Sequence, residues 1–134
     1  MRVVLTNVVV SAALKRDSTP AAAVHLVEQH GLLPKSAATE RQLLDVLARP
    51  YFAALIDPET LEWLRQLMHV AEPIAITQQI TACRDPTDDK FLELAPNGDA
   101  GLIVSGNSDL LVLNPFRGVP IVTPADFVRI VGPQ

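Results

Sequence analysis

Three short polar clusters contain the residues of this sequence that could do chemistry. The first, Thr6-Asn7, interrupts a valine-rich run near the start of the chain. The other two are Asp85-Pro86-Thr87-Asp88-Asp89 and Ser105-Gly106-Asn107-Ser108-Asp109. Carboxylate and amide oxygens are ligands that hard divalent cations prefer, and carboxylates also serve as general acids and bases. The clusters are therefore candidates for a metal-binding or acid-base site.

Both acidic clusters also have a purely structural interpretation. Asp85 can cap a helix, with Asp88 and Asp89 close to the positive end of the helix dipole. The run from Ser105 to Asp109 can form a turn in which Asp109 caps a short helix. The residue types alone leave both interpretations open.

Other catalytic patterns are absent from the sequence. Cys83 has no histidine near it in the chain, and no glycine-rich phosphate loop occurs. A phosphatase-type site at the Asp85 cluster would need a nucleophilic aspartate at the end of the first strand, and there is none. The spacing of the histidines does not favour a shared zinc site; they are His25, His30 and His69.

Composition narrows the class of protein. The chain has 134 residues, a formal net charge of −4, 49% hydrophobic residues and the single cysteine Cys83. This length predicts one domain, residues 1–134, and the unpaired cysteine favours a reducing, cytoplasmic location. The acidic balance argues against binding nucleic acid by bulk charge. No apolar run reaches the roughly 20 residues of a membrane helix, so we expect no membrane association.

The periodicity of apolar residues predicts alternating strands and helices. Such alternation indicates an α/β fold with a parallel sheet, in which ligands collect at the carboxyl ends of the strands. The predicted strands are Arg2–Val10, Ile74–Thr77, Leu102–Val104 and Val119–Val122. Helices are predicted from Asp17-Ser18-Thr19-Pro20 to Gly31, from Thr39 to Pro50, from Asp57-Pro58, from Asp85-Pro86 to Pro96-Asn97-Gly98, and from Pro124.

Several blocks of the chain together resemble the PIN-domain family, in its branch of toxins from toxin-antitoxin modules. They are MRVVLTNVVVSA, DVLARPYF, CRDPTDDKFLELA, LIVSGNSDLLVL and PIVTPADFV. The resemblance implies a three-layer α/β/α domain with a central, mostly parallel sheet. It also implies acidic residues that hold Mg²⁺ or Mn²⁺ at the strand ends, cleavage of single-stranded RNA, and a cognate antitoxin as partner.

The acidic residues of the family are incompletely kept in this chain. The resemblance assigns metal binding to Asp89, with Asp88 beside it, and gives Asp109 a commonly acidic position. At four other family positions the carboxylate is missing: directly before Thr6-Asn7, at Gln42, at Gly101 and at Asn107. Asp99 could replace the acid lost at Gly101 only if its loop shifted. The catalytic candidates are thus Asp89, Asn107, Asp109, Gln42, Thr6 and Asn7, with weak binding of Mg²⁺ or Mn²⁺ and reduced or lost activity expected.

A non-catalytic interaction module is the alternative function. Its support is a surplus of large apolar side chains, which on a protein surface usually mark an interface with a second copy or with an antitoxin. The opposite interpretation is that they pack as core between the second and third helices. The residues concerned are Tyr51, Phe52, Leu55, Trp63 and Leu67. A homodimer is the assembly that we expect.

Overall fold

Short parallel strands run through the middle of the protein, whose computed structural model describes residues 1–132. The strands are β1 (Val3–Leu5), β2 (Pro34–Lys35), β3 (Glu72–Pro73), β4 (Leu102–Val104) and β5 (Ile121–Val122). The helices are α1 (Val8–Leu14), α2 (Thr19–His30), α3 (Ala37–Ala48), α4 (Pro50–Leu55), α5 (Pro58–Val70), α6 (Asp89–Gly98), α7 (Ser108–Leu111) and α8 (Pro124–Val131). A 3₁₀ turn, Pro86–Asp88, directly precedes α6.

The strands form two parallel sheets. One has the order β1-β4-β5, and the other pairs β2 with β3. A parallel bridge between Arg2 and Leu32 connects the two sheets, with Val3 N donating to Leu32 O at 2.9 Å. Since β1, β4 and β5 all run in the same direction, their carboxyl ends lie at one edge.

Apolar side chains cover the sheet on both faces. Val3 and Leu5 of β1 belong to a core with α1, α2, α5 and α8. Val4 points to the other face, where it joins Ile103 in a second core built mainly on α6. Strands buried on both faces are typical of parallel sheets covered by helices. The predicted three-layer α/β/α fold is confirmed.

Local capping explains where three helices begin, as the sequence predicts. Ser18 Oγ accepts from Ala21 N at the start of α2, and Asp57 does the same for Thr60 N at α5. Thr123 caps α8. Each cap is followed by a proline in the first turn, whose fixed φ suits a helix start.

The first predicted strand is too long. Extended pairing ends at Leu5, although Thr6 N still donates to Val104 O at 3.2 Å. From Val8 to Val10 the chain is already in α1, because packing of α1 against α2 and the sheet overrides the β preference of valine.

Other boundaries differ from the prediction as well. Residues 74–77 form no strand, since Thr77 N donates to the Asn97 side chain instead, and the paired residues are Glu72–Pro73. The predicted strand at 119–122 begins only at Ile121, because Val119 closes a turn with Phe116. Helix α3 begins at Ala37 rather than Thr39, because Ser36 and Thr39 form a capping box.

Four further elements lie outside the predicted strands and helices. Pro50, the predicted end of a helix, opens α4, and Ser108–Leu111 forms the single turn α7. The pair β2 and β3 also lies outside the predicted strands. No helix within residues 1–132 combines the length and the apolar character needed to cross a bilayer.

Burial predicts a large difference between two isoleucine truncations. Ile103 is 0% exposed in the centre of the sheet, whereas Ile130 on α8 is 57% exposed. Ile103→Ala should lower the free energy of unfolding by about 2–5 kcal/mol, because a cavity adds to the lost transfer energy. Ile130→Ala should change it by less than about 0.5 kcal/mol. Urea denaturation measures both, and equal losses would contradict the described core.

Candidate functional site

Polar residues follow β1 and β4 at the carboxyl edge of the sheet. Thr6 is buried, and its Oγ1 donates to Val104 O at 3.3 Å, so it ties the two strands together. Asn7 is exposed just before α1, and its side chain makes no capping bond to that helix. Of this predicted pair, Asn7 is therefore the residue that faces the surface at the site.

Asn107 follows β4 and has a fixed orientation. Its Oδ1 accepts from Asp109 N at 2.9 Å and caps α7. With that oxygen engaged, Nδ2 donates to Asp88 Oδ2 at 2.9 Å. The side chain thus turns its N–H groups, rather than its oxygen, toward the nearest carboxylate.

Asp88 is the carboxylate at the centre of the cluster. It is only 5% exposed. Burial raises its pKa, and the neighbouring charges of Asp85 and Asp109 act in the same direction. Lys90 and the hydrogen bond from Asn107 oppose this rise. The arrangement therefore combines a poorly solvated acid with an internal amide donor.

Asp89, the neighbouring acid, has a different environment. Its Oδ1 accepts from Ala82 N at 3.1 Å and from Cys83 N at 2.7 Å. These bonds hold the loop before the 3₁₀ turn against the start of α6. The structure brings Asp88, and not Asp89, into contact with Asn107, whereas the sequence analysis gave Asp89 the leading role.

Gln42 and Lys90 meet across the site. Lys90 Nζ donates to Gln42 Oε1, which joins α6 to α3. By resemblance Gln42 is a family position, but nothing in the local sequence pairs it with a residue of α6. The ammonium group lies beside the position where the resemblance expects an acidic ligand.

Gly101 and Asp99 lie away from this cluster. Both precede β4, so they are at the amino edge of the sheet, where Gly101 N donates to Arg2 O at 2.9 Å. A Cβ at Gly101 would lie 2.8 Å from Met1 Cγ. Asp99 caps α6 with a φ of 49°. The fold therefore separates Asp99 from the carboxyl edge, and it does not replace a missing acid there.

An open groove of about 1070 Å³ extends from the cluster along α1 and α3. Three cationic side chains and a single carboxylate, that of Asp45, line it within the part of the chain that the structure describes. The cations are Arg41, Arg49 and Lys90, and the polar lining also includes Asn7, Ser11, Gln42 and Thr87. The arginines were not among the predicted site residues, although the predicted helix from Thr39 to Pro50 includes both of them. In the structure α3 ends at Ala48, so Arg49 lies just beyond it.

The residues present do not fit a resident divalent cation. Among residues 1–132, no three His, Cys, Asp or Glu side chains form a group that could hold a metal ion. The chemistry of the donors agrees, since Asn107 presents N–H groups to Asp88 and Lys90 presents an ammonium to Gln42. A cation placed between these groups would meet positive partial charge where it needs oxygen.

The family is shown by a comparison with family models. A model described as PIN domain matches residues 2–109. The chain belongs to the PIN-domain family. This is a nuclease-like family whose members generally use divalent metal ions. No curated protein matches the chain.

The different roles of Asp88 and Asp89 predict opposite effects of one substitution. Asp88→Asn removes a buried charge and keeps an acceptor, so it should raise the free energy of unfolding at pH 7. Asp89→Asn weakens two hydrogen bonds from backbone N–H groups, so it should lower the free energy of unfolding by about 1–3 kcal/mol. Urea denaturation of the matched pair measures both changes.

The Asp88 effect should depend on pH. A carboxyl whose folded pKa is raised destabilises the native state in full above that pKa, and the penalty disappears below the ordinary pKa of the unfolded chain. The advantage of Asp88→Asn should therefore shrink as the pH falls through the pKa of Asp88. A gain in stability that persists unchanged in acid would contradict this account.

Proposed function

We propose that this PIN-domain protein is of the toxin type and that its ribonuclease activity on single-stranded RNA is strongly reduced or lost. The observation that carries the proposal is the hydrogen bond from Asn107 Nδ2 to Asp88. In an acidic nuclease site, carboxylates converge on space that a cation can enter. Here the partner of the Asp88 carboxylate is the amide N–H of Asn107, in place of a cation.

The second pair supports the same conclusion. Gln42 carries no charge, and its oxygen already accepts from Lys90. Asp109 remains acidic, but within residues 1–132 it belongs to no group of three His, Cys, Asp or Glu side chains that could hold a metal ion. The site thus has too few free carboxylate oxygens to bind Mg²⁺ or Mn²⁺ strongly, since Mg²⁺ in particular gives up its hydration reluctantly.

The toxin role rests on the sequence resemblance. The blocks CRDPTDDKFLELA and LIVSGNSDLLVL support the toxin branch of the family. A cognate antitoxin and a cytoplasmic location belong to the same proposal. In this account the protein keeps the partner surface and the RNA-facing groove of a toxin while its cleavage chemistry is impaired.

Restoring two acids should restore cation binding. In the double variant Gln42→Glu/Asn107→Asp, carboxylates replace the two amides without a large change in shape. Mn²⁺ should bind this variant at least about tenfold more tightly than the unaltered protein, a difference of about 1.4 kcal/mol. Isothermal titration calorimetry measures the affinity, and cleavage of a labelled single-stranded RNA measures any recovered activity.

The unaltered protein is the reference in this experiment. It should cleave the labelled RNA at no more than a background rate in Mg²⁺ or Mn²⁺. Asp126→Asn, on the exposed start of α8, is a matched control that should leave Mn²⁺ binding unchanged. If the unaltered protein cuts RNA rapidly and Asp88→Asn abolishes the cutting, the impaired site is disproved.

A second candidate function, self-association, is favoured by the exposure of α4. None of the residues of α4 is buried, and Tyr51 and Leu55 are 70% and 55% exposed. Not all of the five apolar residues that the sequence suggested for an interface are exposed. Leu67 is buried, and Trp63 is half-buried between Arg16 and His25. The exposed apolar surface is thus concentrated on α4 and not spread over the whole set.

The geometry of this surface suits a second copy of the chain. A groove of about 520 Å³ lies between α3 and α5, and its lining combines leucines and Met68 with Lys35, Glu40, Arg65 and His69. It ends at Ala48, two residues before α4 begins. A two-fold interface needs one self-complementary surface, which the apolar helix α4 can supply by packing against its own copy. Residues 50–56 carry no charge, so like charges would not meet there.

Polar substitutions on α4 should dissociate such a dimer. Tyr51→Ser/Leu55→Ser removes exposed apolar area, so the fold should remain while the mass measured by light scattering falls from two chains to one. Val112→Ser, at a site 76% exposed elsewhere, is the control and should leave the mass unchanged. An unaltered protein that is monomeric at high concentration would exclude this function.

A further inference from the structure

The groove along α1 and α3 has a charge opposite to that of the whole chain. The protein carries a net charge of −4. The charged lining of the groove is nevertheless Arg41, Arg49 and Lys90 against Asp45. A concave surface lined mainly by one sign of charge concentrates ligands of the other sign. The groove therefore favours an anionic ligand.

Lys90 lies at the end of the groove that adjoins the acidic cluster. One of its donors goes to Gln42 Oε1, which directs the half-buried ammonium along the wall between α6 and α3. A lysine has three donors, so two remain for a ligand. The ammonium lies against Gln42, a position at which the resemblance expects an acidic metal ligand, so the lysine brings positive charge to that place.

The two arginines add positive charge at other points of the groove. Arg41 lies on α3, Arg49 is the extended residue between α3 and α4, and both are exposed. Guanidinium groups bind phosphate oxygens in a bidentate manner. Three cations spread over one groove suit an extended ligand with repeated phosphates better than a single small anion.

One aromatic side chain lines the same groove, and a second packs against it. Phe52 is part of the lining, and Tyr51 packs edge-on against it at 5.2 Å. Unpaired bases stack on such side chains, and a positive groove with stacking aromatics is typical of proteins that bind single strands. A paired duplex offers no free base faces to them.

From these contacts we propose that Lys90, positioned by Gln42, takes the place of a divalent cation, so that the groove binds the phosphodiester backbone of single-stranded RNA without metal. The proposal rests on the proposed function, because the cation is replaced only if the acidic site is impaired. Arg41 and Arg49 hold the neighbouring phosphates, and Phe52 stacks on a base.

Binding in the presence of a chelator tests this directly. A fluorescently labelled single-stranded RNA of 12 nucleotides is titrated with the full chain in EDTA, and anisotropy reports the bound fraction. Binding should occur in EDTA and change less than about twofold when Mg²⁺ replaces the chelator at constant ionic strength. With three cations on phosphates, log K should fall with log salt at a slope of about −2.

Single substitutions locate the bound strand. Lys90→Gln, Arg41→Gln and Arg49→Gln should each weaken binding about three- to tenfold and reduce the salt slope by about 0.7. Arg129→Gln is the matched control, because Arg129 is an exposed arginine on α8 that is not part of the groove lining. Circular dichroism confirms that each variant is folded before its affinity is compared.

Three results would overturn the inference. They are an absence of binding in EDTA, binding that appears only with Mg²⁺ or Mn²⁺, and equal weakening by Arg129→Gln. An acidic peptide that displaces the RNA at lower concentration than unlabelled RNA would also overturn it, since the groove would then be a protein-binding surface. Cleavage of the RNA in Mn²⁺ would disprove the impaired site alone, and the EDTA titration would still decide whether Lys90 binds phosphate without metal.

Discussion

The common direction of β1, β4 and β5 is the constraint on which the rest of the structure depends. Parallel pairing puts the ends of β1 and β4 at one edge, together with the starts of α1, α6 and α7. Residues as distant in sequence as Asn7, Asp88 and Asn107 therefore share one surface. The same constraint keeps Gly101 at the opposite edge, so a change there cannot compensate for a change in the cluster.

The elements that the sequence predicts well are those with local causes. Ser18, Asp57 and Thr123 each cap a helix within three residues, so the signal and the structure occupy the same short segment. Val8–Val10 could not be assigned in this way. Valine favours a strand, and only the packing of α1 on α2 makes these residues helical. Pro50 is ambiguous for another reason, since proline ends one helix and opens the next equally well.

The composition of the site was partly predictable, but its pairings were not. The polar clusters at the ends of β1 and β4 follow from the alternation of strands and helices. Which of Asp88 and Asp89 faces Asn107 depends on about 100° of rotation at a helix start, and sequence does not fix this angle. The bond between Gln42 and Lys90 joins residues 48 positions apart and depends on how α3 packs near α6.

The bond between Asn107 and Asp88 also has a thermodynamic consequence. Carboxylates that are gathered in a native state repel one another, and a bound cation relieves this repulsion. The stability of such a protein therefore depends on the free concentration of the cation, by mass action. In this protein an N–H group of Asn107 and the ammonium of Lys90, both covalent parts of the chain, offset part of the charge of Asp88. That part of the counter-charge is present whichever divalent ions surround the folded protein.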